Sequence, residues 1–342
     1  MSHEGTSGGV VGIAVVGLGF MGAIHVRCVQ TIEAANSPGV SGGAPGVDAC
    51  RLVAVCDRDA SRRSGLIETA GNLSVGGAGQ ERLFDPGRVA TYERTEDVLA
   101  DTNVDAVSIC TQTDTHVELA LAAIAAGKHV LIEKPVAVTS IEVERVAKAA
   151  RGAMTRDGKP LVCMPGLCMR FWPGWPFVRE CVRDERFGRV LSATFHRLGT
   201  PPRWSSEFYL DPQRSGGALV DLHIHDADFI RWCFGDPDSV SSVGSTNHLT
   251  PAYTYAIGPR HVVAEGGWGH SPGFGFRMRY VIAFERATVD FDLARTPTVL
   301  VHRDGKSEAA EIPAKSAYQL QMEHFVACIA RPGEVEQRAR MG

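Results

Sequence analysis

The chain has 342 residues, a length that suggests two domains of about 100–200 residues each. Hydrophobic residues make up 44% and charged residues 22%, which argues against global disorder and against a fibrous repeat. Lys and Arg number 35 against 39 Asp and Glu, a formal charge of −4, so charge gives no case for nucleic acid as a main partner.

Val10 to Val16 is a nearly all-apolar run rich in Val, with the length of a strand buried on both faces. Gly17-Leu18-Gly19-Phe20-Met21-Gly22 follows at once, then a helical pattern to about Ala35. Ser37 to Asp48 reads as an inserted Gly/Pro loop, and Arg51 to Cys56 as a second strand ending at Asp57. Ala70 to Pro86 is Gly-rich and irregular, and Thr95 to Asp101 is a short helix. Val104 to Cys110 is a third strand, His116 to Ala126 a helix closed by Gly127, Lys128 to Ile132 a strand and Ile141 to Arg151 a helix. Strands alternating with helices predict βαβ units and a doubly wound parallel sheet over residues 1–151.

Residues 152–342 read differently. Leu161 to Met164 and Leu191 to His196 are strands, Phe171 to Phe177 is aromatic and Pro-rich, and a Pro/Trp loop runs to Gln213. Gly216 to Phe234 is a helix, Val262 to His302 an antiparallel meander, and Ala317 to Ala330 a last helix. Within the meander Phe276, Met278, Tyr280, Ile282 and Phe284 alternate with Arg277, Arg279, Val281 and Ala283, the period of a strand with one buried face.

Gly17, Gly19 and Gly22 form G-x-G-x-x-G between a strand and a helix, the setting in which it binds a dinucleotide. The helix start offers amide donors and a positive dipole end to a pyrophosphate. Asp57 stands where an acid binds the adenosine ribose, which favours NAD. Arg58, Arg62 and Arg63 follow and keep NADP open, with a solvated helix start as their plainer reading.

Lys134 sits at the C-terminal edge of a strand, where open α/β sheets bind ligands, and its ammonium can polarise a substrate oxygen. Asp221 and His225 are i and i+4 on the expected helix and share a face, with Asp228 extending it. A carboxylate beside an imidazole raises its basicity, as a general base taking a hydroxyl proton requires. The plainer reading is a helix start with capping acids. His223, His225, Asp226 and Asp228 are metal-ligand types, but consecutive helical residues diverge, and no metal is expected.

Gly17 to Gly22 with His25, the strand Val104 to Thr111, His116, Ala126 to Pro135, and Gly216-Gly217 through Asp221 and His225 come in the order found in the Gfo/Idh/MocA oxidoreductases, which this chain resembles over residues 10 to about 330. The resemblance implies an N-terminal Rossmann domain over 1–151 and a C-terminal α/β domain over 152–342, with an open, mostly antiparallel sheet that forms an oligomer interface. It implies catalysis by Lys134 with Asp221 and His225, and cofactor contacts near Thr111 and Glu133. Phe20, Met21, His116 and Lys134 belong with these cofactor-side candidates, although His116 and His25 read more simply as packing and capping residues. Its substrates are mostly sugars, cyclitols and related polyols. Three departures stand out: Gln112 where Pro is common, Cys168 and Met169 where Asn is common, and an end at Gly342.

The resulting expectation is an NAD(P)-dependent dehydrogenase acting on a carbohydrate-like secondary alcohol. An NAD-dependent glycoside hydrolase with a closed redox cycle and a non-catalytic nucleotide-sensing regulator are the alternatives. Nine scattered Cys without a C-x-x-C pair, no bilayer-length apolar run and a small, polar Met1–Gly9 predict a cytoplasmic location. Trp172, Trp175, Trp204 and Trp268 are candidates to stack on a sugar ring, with ordinary packing expected for at least three of them.

Overall fold

The computed structural model describes residues 10–36, 49–68, 80–202 and 205–331. The loop expected at Ser37–Asp48, most of the Gly-rich stretch after Ala70, and Trp204 lie outside them. The described chain forms two compact units, one ending at Gly166 and regaining the chain from Tyr318, the other spanning Leu167–Ala317.

The first unit is built on a parallel sheet. In chain order it contains β1 (Val11–Val16), α1 (Phe20–Ala35), β2 (Cys50–Cys56), α2 (Ala60–Arg63), β3 (Leu66–Glu68), β4 (Gln80–Arg82), β5 (Ala90–Tyr92), α3 (Thr95–Ala100), β6 (Ala106–Ile109), α4 (Thr113–Ala125), β7 (His129–Glu133), α5 (Ser140–Ala150) and β8 (Cys163–Gly166). The six-stranded order is β5-β2-β1-β6-β7-β8, every pair parallel, while β3 and β4 form a separate hairpin. Every residue of β1, β6 and β7 is buried, as the unbroken apolar runs require of strands covered on both faces. The chain leaves β1 toward β2 on one side and returns to β6 on the other. The carboxyl ends of β1 and β6 therefore form the switch point at which such sheets take ligands.

The first sheet continues past residue 151, because β8 pairs with β7 from Val130↔Cys163 to Glu133↔Gly166. The last helix, α11 (Ala317–Ala330), also belongs here: Met322, Phe325 and Val326 are buried in one cluster with Val26, Val29 and Leu83. The sequence gives no sign of β5, a three-residue edge strand with no apolar run.

The second unit opens with a 3₁₀ turn at Cys168–Arg170, then α6 (Trp175–Arg183), β9 (Val190–Leu198), and the short helices α7 (Ser206–Tyr209), α8 (Pro212–Ser215) and α9 (Gly217–Asp221). It continues through α10 (Ile224–Phe234), β10 (Ser239–Ser245), β11 (His248–Thr254), β12 (His261–Gly267), β13 (Arg277–Phe284), β14 (Thr288–Asp292), β15 (Val299–Arg303) and β16 (Lys306–Ala309). Its eight-stranded order is β10-β11-β12-β9-β13-β14-β15-β16, antiparallel except for the β12–β9 pair. Within β13 the expected alternation holds, since Met278, Tyr280, Ile282 and Phe284 are all buried, but β9 lies between β12 and β13, so the antiparallel meander begins at β13 and not at Val262. The sheet also extends to β10 and β11, ahead of the expected start at Val262; β10 is exposed at every residue and shows no periodic apolar signal. The core is aromatic. Trp175, wholly buried, sits 4.6 Å from Phe229, 5.3 Å from Tyr280 and 5.9 Å from Phe291, which fastens α6 and α10 to the sheet.

Candidate active site

The first set of candidates surrounds the turn after β1. Gly17 has φ +89°, and a Cβ on Gly22 would run into the Gly17 carbonyl, so the sequence can turn this tightly only with glycine at both positions. Gly19 differs: a Cβ there meets nothing nearer than Arg62 Nη1 at 3.9 Å. Its outer side is thus open beside the first turn of α1, whose leading amides lack intrahelical partners, and a pyrophosphate fits that cradle. Phe20 and Met21 pack partly buried against the core below.

Asp57 is placed at this turn by the end of β2. One carboxylate oxygen accepts the Leu18 amide at 2.7 Å and the other the Asp59 amide at 2.9 Å. Arg62 Nη1 stands 3.5 Å away and its side chain is 48% exposed, leaving it able to turn toward an added phosphate. Arg63 donates to the carbonyls of Asp57 and Arg58 at 2.6 and 3.0 Å and pairs with Glu93, while Arg58 is exposed.

The second set follows β6 and β7. Thr111 stands just past β6, its hydroxyl accepting from Thr115 Oγ1 at 2.7 Å. Lys134 follows β7 directly, and its peptide bond to Pro135 is cis. Glu133 is buried, with Oε1 3.1 Å from His25 Nε2 and Oε2 accepting the Lys134 amide at 3.3 Å. His25 Nδ1 lies 2.6 Å from Ser108 Oγ and 3.4 Å from Cys110 Sγ. Burial alone would lower the His25 pKa, but the Cys110 sulfur and the Glu133 carboxylate hold it well above the ordinary imidazole value. His116 is buried too, with Nδ1 2.9 Å from the Pro135 carbonyl and Nε2 3.1 Å from that of Thr111. Its burial pushes the pKa down.

The third set is in the second unit. Gly216 and Gly217 both have positive φ, and a Cβ on Gly217 would lie 2.8 Å from the Thr246 carbonyl, which instead accepts the Leu219 amide. The continuous helix expected over Gly216–Phe234 is two helices. At Leu222–His223 the backbone widens, and the His223 amide reaches back five residues to the Ala218 carbonyl at 2.9 Å. Asp221 therefore ends α9 and His225 stands in the first turn of α10, so the two do not belong to one regular helix. Both side chains are buried.

The neighbouring acids have partners of their own. Asp226 takes a two-point contact from buried Arg197 at 2.9 and 2.8 Å, and Asp228 takes one from Arg170 at 2.9 and 2.6 Å. His223 Nε2 lies 2.8 Å from the Tyr253 hydroxyl, and burial pushes its pKa down. Among the described residues no group of His, Cys, Asp and Glu is arranged to hold a metal ion. Trp175 is wholly core; Trp268 is 5% exposed and packs with Ala218 and Leu222 under α9. Arg197 was not anticipated from sequence, although its place on the buried parity of β9 with Ala193 and Phe195 signals it. The His25–Glu133 pair was missed as well, and its signal is a histidine on the buried face of α1.

Two models of one family match the chain: an oxidoreductase family with an NAD-binding Rossmann fold over residues 11–156, and the GFO/IDH/MocA C-terminal domain over 176–264. The chain belongs to the Gfo/Idh/MocA oxidoreductases. Among curated members it is 34% identical to 1,5-anhydro-D-fructose reductase of Ensifer adhaerens over 142 residues, 41% of each chain. It is 31% identical to inositol 2-dehydrogenase 2 of Saccharopolyspora erythraea over 225 residues, 65% of this chain and 53% of that one. The chain thus spans about half the length of these family members. The family fold is shared with a solved levoglucosan dehydrogenase in complex with NADH and levoglucosan, at TM-score 0.74 and 18% identity over 95% of this chain and 91% of that one.

Proposed function

We propose that this chain is an NAD(P)-dependent oxidoreductase that moves a hydride between a nicotinamide cofactor and a sugar, cyclitol or related polyol. The observation that carries the reading is Lys134, presented directly after β7 beside the switch point whose glycine turn opens at Gly19. The names of the relatives supply the substrate class. Gly17, Gly19 and Gly22 with the start of α1 hold the pyrophosphate, Asp57 faces the adenosine ribose, and Thr111 and Glu133 border the nicotinamide side. The bound nicotinamide supplies the hydride acceptor or donor. Lys134 orients and polarises the substrate oxygen, His225 takes the hydroxyl proton, and Asp221 keeps the charged side chains oriented.

In this reading the first unit, which carries the parallel sheet beyond the expected end at residue 151, binds the cofactor, and the second unit binds substrate and joins copies of the chain through the eight-stranded sheet. All nine cysteines are free thiols, which supports a reducing, cytoplasm-like compartment. No helix among the described residues is long and apolar enough to cross a membrane.

The test is absorbance at the NADH wavelength with purified protein, NAD or NADP, and a panel of sugars and cyclitols. A rise with one substrate class is expected, with NAD preferred because Asp57 would repel a 2′-phosphate. Cofactor retained through purification with no net NADH formed would point instead to a closed redox cycle.

A further inference from the structure

Two buried histidines left without a task by this reading stand on either side of Lys134. On its N-terminal side, His25 projects from α1 and places Nε2 3.1 Å from Glu133 Oε1, while Glu133 Oε2 accepts the Lys134 amide at 3.3 Å. On its C-terminal side, His116 projects from α4 and places Nδ1 2.9 Å from the Pro135 carbonyl. The second nitrogen of each ring is tied to β6 or the residues just after it, His25 to Ser108 Oγ at 2.6 Å and His116 to the Thr111 carbonyl at 3.1 Å. Each residue is 1% exposed, too deep to exchange a proton with a substrate.

We propose that His25 and His116 are positioning residues for Lys134, fixing Glu133 and Pro135 to the end of β6 so that the lysine backbone is held through both of its neighbours. The inference rests on the assignment of Lys134 as the group that orients the substrate oxygen. The chemistry of each contact suits a brace. A buried carboxylate without a donor is costly, and His25 supplies the donor to Glu133. Both partners of His116 are carbonyl oxygens, which only accept; a neutral ring serves one of them and an imidazolium serves both. Glu133 favours the charged ring, and burial and Lys134 oppose it.

Asparagine and glutamine separate the two nitrogens of a histidine. The asparagine amide nitrogen falls near the place of Nδ1 and that of glutamine near Nε2. His25→Gln therefore keeps the contact to Glu133, and His25→Asn keeps only Ser108. His116→Asn keeps Pro135, and His116→Gln keeps only Thr111. The expected result is crossed. His25→Asn and His116→Gln lose about a hundredfold in kcat, as a misplaced group does, while His25→Gln and His116→Asn retain most of it. The Kd for NADH, followed by its fluorescence, changes little in all four. Equal losses for both amides at each position would show packing alone and would overturn the proposal. If one variant fails to fold, the pair at the other position decides.

A second measurement needs no turnover: the pH dependence of Lys134 reductive methylation, followed by mass spectrometry. Its midpoint should shift in His25→Asn and His116→Gln and stay near wild type in the other two. A wild type silent on every substrate with a crossed labelling pattern would sink the dehydrogenase reading and leave the brace standing. An active wild type with an uncrossed pattern would do the reverse.

Discussion

Lys134 and Asp57 illustrate two ways in which a residue serves a site. Lys134 offers an ammonium-tipped side chain on a braced backbone, so its removal should act on chemistry. Lys134→Ala is expected to lower kcat by about 10²–10⁴-fold, the range of a lost acid–base or polarising group, with NADH affinity little changed. Equal losses in turnover and cofactor affinity would remove the role assigned to it. Asp57 is different, because both of its carboxylate oxygens accept backbone amides, from Leu18 and Asp59. It shapes the glycine turn in addition to the ribose contact proposed for it. Asp57→Ala leaves two amides without a charged acceptor, worth about 1.5–3 kcal/mol each where such a bond is lost. The expectation is weaker binding of both NAD and NADP in a fluorescence titration. A ribose clamp and nothing more would instead weaken NAD and strengthen NADP.

At the scale of elements, the placement of His225 depends on α10, and α10 is fixed by the Arg197–Asp226 pair one residue away. Both side chains are almost wholly buried, with the Met278 and Met169 sulfurs beside the guanidinium. Breaking a buried pair from one side leaves an uncompensated charge and costs about 3–5 kcal/mol. Arg197→Met should lower the unfolding free energy of the second unit, measured in urea, by that amount. Replacing Asp226 by Leu as well should restore much of it, because an apolar pair has no charge to bury. Failure of the double variant to recover would mean that Asp226 serves something besides Arg197. The same elements show what a sequence can disclose. The apolar runs of β1, β6 and β7 and the alternation of β13 announce themselves, because one period or one unbroken run decides burial. The break between α9 and α10 does not: Asp221 and His225 keep a helical spacing while the backbone between them widens to a five-residue bond. Nor does β10, which is held by pairing with β11 rather than by any apolar face. The glycine turn was legible because a tight strand-to-helix turn demands it, whereas Lys134 and the Asp221–His225 spacing stood out through the order of motifs shared with the family. The partners that hold them, His25 83 residues from Ser108 and Arg197 29 from Asp226, depend on tertiary register.

At the scale of the whole molecule, the two units can be followed separately, since all five tryptophans lie between Trp172 and Trp268 and the first unit has none. Tryptophan emission reports the second unit, and hydrogen exchange on α1 reports the first. The first unit carries two histidines of opposite sense. His25 has its pKa raised in the fold, so its contribution to stability is fully present below the ordinary imidazole value, about 6.5, and is lost as pH rises through the higher folded value. The groups facing it are Glu133 and Cys110. His116 has its pKa lowered, chiefly by burial, so its contribution is present above about 6.5 and is lost as pH falls toward the lower folded value. His129, also buried in this unit and lowered, adds to that acid limb. Protection of the α1 amides should therefore pass through a maximum near neutrality and decline on both sides. His25→Gln keeps a donor to Glu133 but cannot titrate, and it should flatten the alkaline limb and leave the acid limb in place. An alkaline decline equally steep in His25→Gln would assign that limb to another group and place the His25 imidazole in its neutral form.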